Sequence, residues 1–581
     1  MLRTPTTCLR SAPSRLTHYL STPKLFLTFL IPHKRYRSST PSSIDPKKLF
    51  NSKYDQSRDD RAFSLKGLVD RDRDDHRFGD PIKKRQSSVD ELSAYLKYFS
   101  QSAFIRKKCL SMGVPDNVIT DAMNGFKKAL LKNELDYMTK EDAIAHIRAK
   151  TQMERILLPA FFHYLRLTHP SSVSTITSLT THSDLTDPSS QFPETRRLRR
   201  RLILHVGPTN SGKTYAALRR FEQAKSAIYC GPLRLLAHEI YERSNLAGVP
   251  CNLVTGEEKR ESDGVYKWAA TVEMAMNNRP FEVAIVDEIQ MIGDLQRGWA
   301  WTNAVLGLQA EEVHLCGEPS VVPLVQKLAE ATGDSVEINE YTRLTPLQVS
   351  RSSLDSDIKS IKKGDCIVTF SRADIFAVKR TIENKTNLKA AVIYGSLPPE
   401  TRAEQAKLFN DPKSDYDVLV ASDAIGMGLN LNIRRVIFER IEKFDGRKVI
   451  DLTVSQVKQI AGRAGRFNTH FPEGFVTTFD KRDMPLLIRS MKSETPRVLS
   501  AGLHPTLEQI EAFGALMPDE PLTTLLSRFG DLARLGGHYF LCNLDSLHEV
   551  AELIEPVPLT LRDRFVFTLS PCTTRDTFVA G

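Results

Sequence analysis

Eight consecutive residues, Gly207-Pro208-Thr209-Asn210-Ser211-Gly212-Lys213-Thr214, restrict the folds open to this chain more than any other feature. They match the pattern of a phosphate-binding loop, which works only between a strand and a helix. Both flanks comply: 202–206 is the apolar run Leu-Ile-Leu-His-Val, and 215–221 has helical character. The glycines let backbone N–H groups face a phosphate, and the N-terminus of the following helix favours anions. Lys213 then reaches the terminal phosphates and the Thr214 hydroxyl is placed to ligate Mg²⁺. Such a loop needs a parallel α/β sheet around it. From residue 201 short apolar runs at 202–206, 227–230, 283–286, 313–316, 366–370, 390–394, 418–421, 436–438 and 475–478 alternate with helical stretches, as parallel sheets require. Roughly 290 residues of this pattern is too much for one sheet, and 341–349 reads as a seam. Two α/β domains in tandem are expected, over 201–344 and 345–495.

The flanks read differently. Ser88-Val89-Asp90-Glu91 has capping-box spacing ahead of Leu92, Tyr95, Leu96 and Phe99, and further helical stretches fall near 116–132, 139–150 and 152–166. A small N-terminal helical domain over 88–167 follows from this. Residues 168–200, rich in Ser and Thr with Pro170 and Pro188, read as a linker. So do residues 41–87, where Arg71-Asp72-Arg73-Asp74-Asp75 typifies a stretch with little to bury. A C-terminal helical region is expected over 496–568. The tail 569–581, with Pro571 near its start and no apolar period, is expected to be disordered.

The net charge of +10 suggests a polyanionic partner until it is located. Residues 1–44 hold Arg3, Arg10, Arg15, Lys24, Lys34, Arg35 and Arg37 and no acid, whereas the rest of the chain is nearly balanced. An Arg-, Ser- and Thr-rich, acid-free start has the composition of a mitochondrial transit peptide, placed here at 1–40. A plastid signal is less often so rich in Arg, and a disordered basic tail is the plain alternative. The longest markedly apolar stretch, 25–31, falls far short of the roughly 20 residues of a membrane-spanning helix, so no span is expected. The eight cysteines form no Cys-x-x-Cys pair, which argues against a zinc site or a disulfide framework.

A phosphate-binding loop needs an acidic metal partner at a neighbouring strand end, and Val283-Ala284-Ile285-Val286 runs straight into Asp287-Glu288. Asp287 would hold the metal through water, and Glu288 would polarise the attacking water. The second block ends in Gln459-Ile460-Ala461-Gly462-Arg463-Ala464-Gly465-Arg466. Arg463 and Arg466, three apart, share a helix face, and planar guanidinium groups suit the charge developing on a γ-phosphoryl group. An isolated pair of this kind would be a solvated basic helix; the companion motifs favour the catalytic reading. A phosphate-loop kinase would need a lid and an acceptor pocket within one α/β domain, which the second block argues against. A degenerate, non-catalytic scaffold would be expected to have lost Lys213, Asp287, Glu288 or Arg466, and all are present.

Together the phosphate loop, Asp287-Glu288-Ile289-Gln290 and 459–466 resemble motifs I, II and VI of superfamily 2 helicases. More closely, 203–568 resembles the DExH-like ATP-dependent RNA helicases of the mitochondrial degradosome. The matches include Gly231-Pro232-Leu233-Arg234-Leu235-Leu236-Ala237, Thr255-Gly256-Glu257-Glu258, Ala270-Thr271-Val272-Glu273-Met274 and Leu315-Cys316-Gly317-Glu318-Pro319. Further on come Tyr394-Gly395-Ser396-Leu397-Pro398-Pro399, the stretch from Ala421 to Leu431, Ala501-Gly502-Leu503-His504-Pro505-Thr506, and Leu559-Thr560-Leu561-Arg562-Asp563-Arg564-Phe565. The resemblance implies two RecA-like domains with the nucleotide in the cleft between them. Arg463 and Arg466 would complete the site on closure, with Gln459 near the γ-phosphate and Asp423 and Gly426 near the ribose and cleft. It also implies strand contacts from Pro232, Leu233, Arg234, Thr255, Gly256, Thr271, Ser371, Arg372 and Ser396. The expected activity is ATP-dependent 3′→5′ unwinding of duplex RNA from a single-stranded 3′ tail, with DNA not distinguished from RNA. Mg²⁺ or Mn²⁺ would assist, and the setting would be the mitochondrial matrix, alongside an exoribonuclease in a degradosome-like complex. No aromatic-plus-glutamine adenine motif precedes residue 203, so other nucleoside triphosphates are expected to be accepted. The resemblance stops after Thr568, which implies a shortened C-terminal region with Leu525, Leu526 and Phe529 left exposed.

Overall fold

Strands that are covered by helices on both faces are written as unbroken apolar runs, and the central strands here are of that kind. The computed structural model describes residues 88–570, apart from 113, 136, 149–152, 171–173, 396, 427–429, 445–447 and 468–469. The expected transit peptide and 41–87 linker, and 571–581 of the expected tail, lie outside the described residues.

The first sheet contains β1 (Arg201–Val206), β2 (Ala227–Gly231), β3 (Asn252–Val254), β4 (Lys259–Arg260), β5 (Lys267–Thr271), β6 (Pro280–Val286), β7 (Gln309–Gly317) and β8 (Ser335–Glu340). Their spatial order is β4-β3-β5-β2-β6-β7-β1-β8, parallel throughout except for the β3–β4 pair. β2 is buried along its whole length and β6 from Val283 to Val286. β3, β4, β5 and β8 are strands that the apolar runs do not signal, as is Leu347–Val349 in the second sheet. β5 reads Lys-Trp-Ala-Ala-Thr, with one β-branched residue, and β8 is an edge strand that is half exposed.

The second sheet contains β9 (Leu347–Val349), β10 (Asp365–Val368), β11 (Lys389–Ile393), β12 (Tyr416–Ala421), β13 (Arg435–Phe438) and β14 (Gly474–Thr478). The order is β9-β14-β13-β10-β12-β11, all parallel. β8 closes one sheet and β9 opens the other, so the chain passes between domains at 341–346.

The flanking helices depart from the sequence reading in three ways. First, the N-terminal helices and the C-terminal ones are one body. Helices Ser88–Gln101, Asp116–Leu131 and Met153–Thr168 share a single hydrophobic core with Leu507–Leu516, Leu522–Leu532, Asp545–Ile554 and Leu561–Thr568. Leu525, Leu526 and Phe529, expected to be exposed, are among its most buried residues. Beside the local Phe513 ring, 5.3 Å from that of Phe529, their cover includes helix Met153–Thr168 from the other end of the chain, which no local periodicity can signal. Helix Ala103–Ser111 also went unforeseen.

Second, 168–200 is not a linker. It holds helix Ser174–His182, a two-residue strand Asp184–Leu185 paired in parallel with Arg534–Leu535, and the short helix Pro193–Arg196. Its hydroxyls are satisfied at close range: Ser183 Oγ donates to Leu179 O at 3.2 Å and Thr195 Oγ1 to Gly307 O at 2.7 Å. A Ser/Thr-rich composition is therefore compatible with burial. Third, the basic cluster before β1 is partly structural. The Arg200 side chain is 0% exposed, bonds Asp334 through Nε at 3.1 Å and Nη2 at 2.5 Å, and donates to Val305 O and Leu308 O.

Candidate nucleotide cleft and nucleic-acid face

In open parallel sheets ligands bind beyond the carboxyl ends of the strands, where neighbouring connections diverge. Here β6, β7 and β1 lie side by side, and each ends in a functional segment. β1 leads into Gly207–Thr214, β7 into Glu318, and β6 into Asp287-Glu288. Neighbouring strand ends thereby gather residues 207–214, 287–288 and 318, which the sequence holds about 30 to 110 positions apart.

The loop geometry follows from its residues. Gly212 has φ +81° immediately before helix Lys213–Gln223, and a Cβ on Gly207 would come within 2.5 Å of Tyr341 O, so these two positions require glycine. Lys213 Nζ rests on Pro208 O at 3.2 Å. Thr214 Oγ1 donates to Asp287 Oδ1 at 3.2 Å, so hydroxyl and carboxylate share the small space in which such a loop holds a divalent ion. Tyr229 OH donates to Asp287 Oδ2 at 3.1 Å. Burial first and Glu288 second push the Asp287 carboxyl up to about 6, with Lys213 opposing. A cation would relieve that cost, so the donor set fits one. Among the described residues no cluster of three or more His, Cys, Asp or Glu surrounds a common point. The remaining ligands would be phosphate oxygens and water, as suits Mg²⁺.

Glu288 adopts the left-handed conformation, φ 51° and ψ 49°, which a non-glycine residue takes only when its surroundings impose it. Gln290 is what holds its carboxylate: Nε2 donates to Glu288 Oε2 at 2.6 Å while Oε1 accepts from Glu318 N at 3.1 Å. Glu318, pushed up by burial, accepts from Ser455 Oγ of the second domain at 2.9 Å. Neither Gln290 nor Glu318 was assigned a role from sequence, although both lie inside the motifs.

Opposite stands helix Val454–Ala461, started by a full capping box of Thr453 and Gln456. It ends at Ala461, so Arg463 and Arg466 do not share a helix face as the sequence suggests; the glycines at 462 and 465 place them on the turn that follows. Residues 207–209, Lys213, Glu288, Glu318, Lys458, Gln459 and Gly462 line one cleft of about 360 Å³. The two arginines do different things. Arg463 donates to Gly426 O at 3.1 Å; burial lowers its pKa, with Glu288 and Asp287 opposing. Arg466 is turned to Asn430, whose amide in turn donates to Glu239 of the first domain. Burial raises the Glu239 carboxyl, and Arg466 is the charge that most opposes this. Asp423 is exposed and does not line the cleft. Gly426 does not line it either; its carbonyl accepts from Arg463.

Most of the residues expected to contact a strand lie on the same sheet edge, further along. Pro232, Leu233 and Arg234 follow β2, Thr255 and Gly256 follow β3, and Thr271 ends β5, three adjacent strands. Several have protein partners. Thr255 Oγ1 accepts from Glu258 N at 3.2 Å, Arg234 pairs with Glu257, and Pro232 O accepts from Arg297 at 2.7 Å. In the second domain Ser371 caps helix Arg372–Lys385, and Arg372 lies 5.4 Å from the centre of the Tyr394 ring. Ser396 lies outside the described residues.

Two RecA-like parallel sheets with a phosphate loop on one and an arginine turn on the other, on either side of a cleft, are the architecture of superfamily 2 helicases. Comparison with known proteins narrows this. The DEXQ-box helicase domain of Suv3 matches residues 188–341, and the helicase conserved C-terminal domain matches 350–468. The N-terminal part of DExH-box ATP-dependent RNA helicase DExH18 matches 90–176, and Suv3 C-terminal domain 1 matches 549–580, beyond the Thr568 limit of the sequence-based resemblance. Mitochondrial DExH-box ATP-dependent RNA helicase DExH18 of Arabidopsis thaliana is 43% identical over 495 residues, 85% of this chain and 64% of that one. Mitochondrial DExH16 of the same plant is 51% identical over 68% of this chain and 69% of its own length. The human mitochondrial ATP-dependent RNA helicase SUPV3L1 is 51% identical over 69% of this chain and 52% of its own. The chain thus spans between about half and about two thirds of these relatives. It belongs to the Suv3 family of ATP-dependent RNA helicases.

Proposed function

We propose that this chain is an ATP-dependent RNA helicase of mitochondria, acting in the matrix in RNA degradation and surveillance beside an exoribonuclease. The observation that carries the reading is the cleft in which Lys213 and Glu288 of one domain face Lys458, Gln459 and Gly462 of the other, Gly462 opening the turn that carries Arg463 and Arg466. Lys213 and the loop amides hold the polyphosphate. A Mg²⁺ or Mn²⁺ ion beside Thr214 and Asp287 would offset phosphate charge when bound. Glu288, its carboxylate held by Gln290, orients the attacking water and takes up its proton. Arg463 stands close to these carboxylates, and Arg466 enters on closure by leaving Asn430 and Glu239. Because the arginines and the phosphate loop sit on different domains, turnover couples to domain movement and so to stepping along a strand. The strand would lie over the ends of β2, β3 and β5 and the Ser371–Arg372 and Ser396 loops, contacting mainly backbone. With no adenine-reading motif, other nucleoside triphosphates are accepted.

The test is hydrolysis by the full chain with and without single-stranded RNA or DNA, followed by unwinding of duplexes carrying a 3′ or a 5′ tail. RNA-stimulated hydrolysis and a preference for 3′ tails are expected. Absence of stimulation overturns the motor reading, equal use of 5′ tails overturns the direction, and equal use of DNA removes the restriction to RNA.

A further inference from the structure

The stretch joining the two sheets contains a residue that belongs to none of the motifs. Arg343 is half-buried in the cleft beside Pro208, Lys213 and Glu288. A guanidinium has five N–H donors, and here five carbonyls meet them. Nη1 donates to Thr209 O at 2.9 Å in the phosphate loop and to Gly462 O at 2.8 Å in the arginine turn. Nη2 donates to Ala464 O and, at 3.1 Å, to Gly465 O of the same turn, and Nε to Thr345 O at 2.9 Å. No carboxylate is among the partners, and burial alone brings the group down to about 10, still charged at neutral pH. Neighbouring contacts reinforce the junction. Asn210 Nδ2 and Thr345 Oγ1 both donate to Gly465 O, at 2.8 and 2.6 Å, and a Cβ on Gly462 would lie 2.7 Å from Thr209 Cβ.

A half-buried cation whose hydrogen bonds all go to carbonyls, on the segment about which the domains must turn, is suited to linking what lies on either side. We propose that Arg343 is a positioning residue for hydrolysis, fixing the turn that carries Arg463 and Arg466 against the phosphate loop so that the two respond to nucleotide as one unit. The proposal rests on the reading of the cleft as a nucleoside triphosphatase site. Lysine is a poor substitute, because three donors on a single nitrogen cannot span carbonyls on three segments.

Two measurements on the full chain test this. In nucleotide-free protein, Arg343→Gln and Arg343→Lys should both raise amide hydrogen exchange in 207–214 and 460–466 together, while protection around 525–529 in the helical body stays unchanged and reports an intact fold. Unchanged exchange at the two segments, or a rise in only one of them, overturns the link. In turnover with RNA, Arg343→Lys should lower kcat at least tenfold with KM for ATP changed less than threefold. A rise in KM at unchanged kcat would make Arg343 a simple nucleotide-binding group and overturn the proposal. If the unmodified chain does not hydrolyse ATP, the functional reading fails, and the exchange result by itself decides for or against Arg343.

Discussion

The nucleotide cleft and the helical body are built on opposite principles. In the cleft, charged groups sit in unfavourable surroundings: Asp287 is buried beside Glu288, Glu318 and Glu239 are raised by burial, and Glu288 has a left-handed backbone. In the helical body nearly everything inside is apolar, and the rings of Phe99, Phe126 and Phe161 meet tilted or edge-on with centroids 5.6–6.3 Å apart. One region uses stability that the other supplies. Function and folding should therefore fail separately when each is perturbed.

The largest effect should come from Glu288→Gln. Removing the group that orients and deprotonates water should lower kcat by roughly 10² to 10⁴-fold while nucleotide affinity stays within a few fold. A rapid-quench assay with a fluorescent nucleotide analogue would check both, and near-normal turnover would take Glu288 out of the mechanism. Phe529→Ala should do the reverse, lowering stability by about 3–5 kcal/mol without touching the site. Because its core is shared, hydrogen exchange should rise in Met153–Thr168 as well as in Leu522–Leu532. Loss of protection confined to the C-terminal helices would break the single-body description.

Arg200→Ala should cost a similar or slightly smaller amount, about 3–5 kcal/mol, since Asp334 would be left buried and short of its main partner. RNA affinity should not change, and a filter-binding measurement would separate this structural arginine from a nucleic-acid contact. The smallest effect expected is a gain. Asp287→Asn removes an ionised carboxylate that the fold disfavours, so metal-free, nucleotide-free protein should be more stable at pH 8 by on the order of 1–3 kcal/mol. The sign follows from a folded pKa of about 6 against an ordinary 3.8. The penalty is present above 6 and disappears as the pH falls through 6 towards 4, so the gain should vanish over that interval in thermal melts.

The same contrast explains what could be read in advance. The phosphate loop, Asp287-Glu288 and the 459–466 motif are legible because their chemistry needs particular residue types at short spacing, and the central strands because burial on both faces leaves nine apolar runs. Arg343 was not legible: its partners are backbone carbonyls, which carry no side-chain signature, brought together from residues 209, 345 and 462–465. The burial of Leu525, Leu526 and Phe529 was misjudged because part of their cover comes from helix Met153–Thr168, and a local window shows only that they are apolar. The Ser/Thr-rich 168–200 misled because the same hydroxyls that solvate a linker can cap and satisfy a packed turn.

The pairing of Asp184–Leu185 with Arg534–Leu535 sets a timetable for synthesis. Arg534 Nη1 bonds Asp184 Oδ2 at 2.9 Å across 350 residues of chain, and both RecA-like domains are encoded between them. At roughly 5–20 residues per second a ribosome takes about 20 to 70 s to cover that distance. Throughout that time the first helices have been made but lack the other half of their core, so their apolar faces are available to chaperones or to neighbouring chains. The catalytic domains can complete their sheets while the first helices wait. Folding of this protein therefore ends where translation began, and a lesion near residue 530 is felt by helices made more than 350 codons earlier.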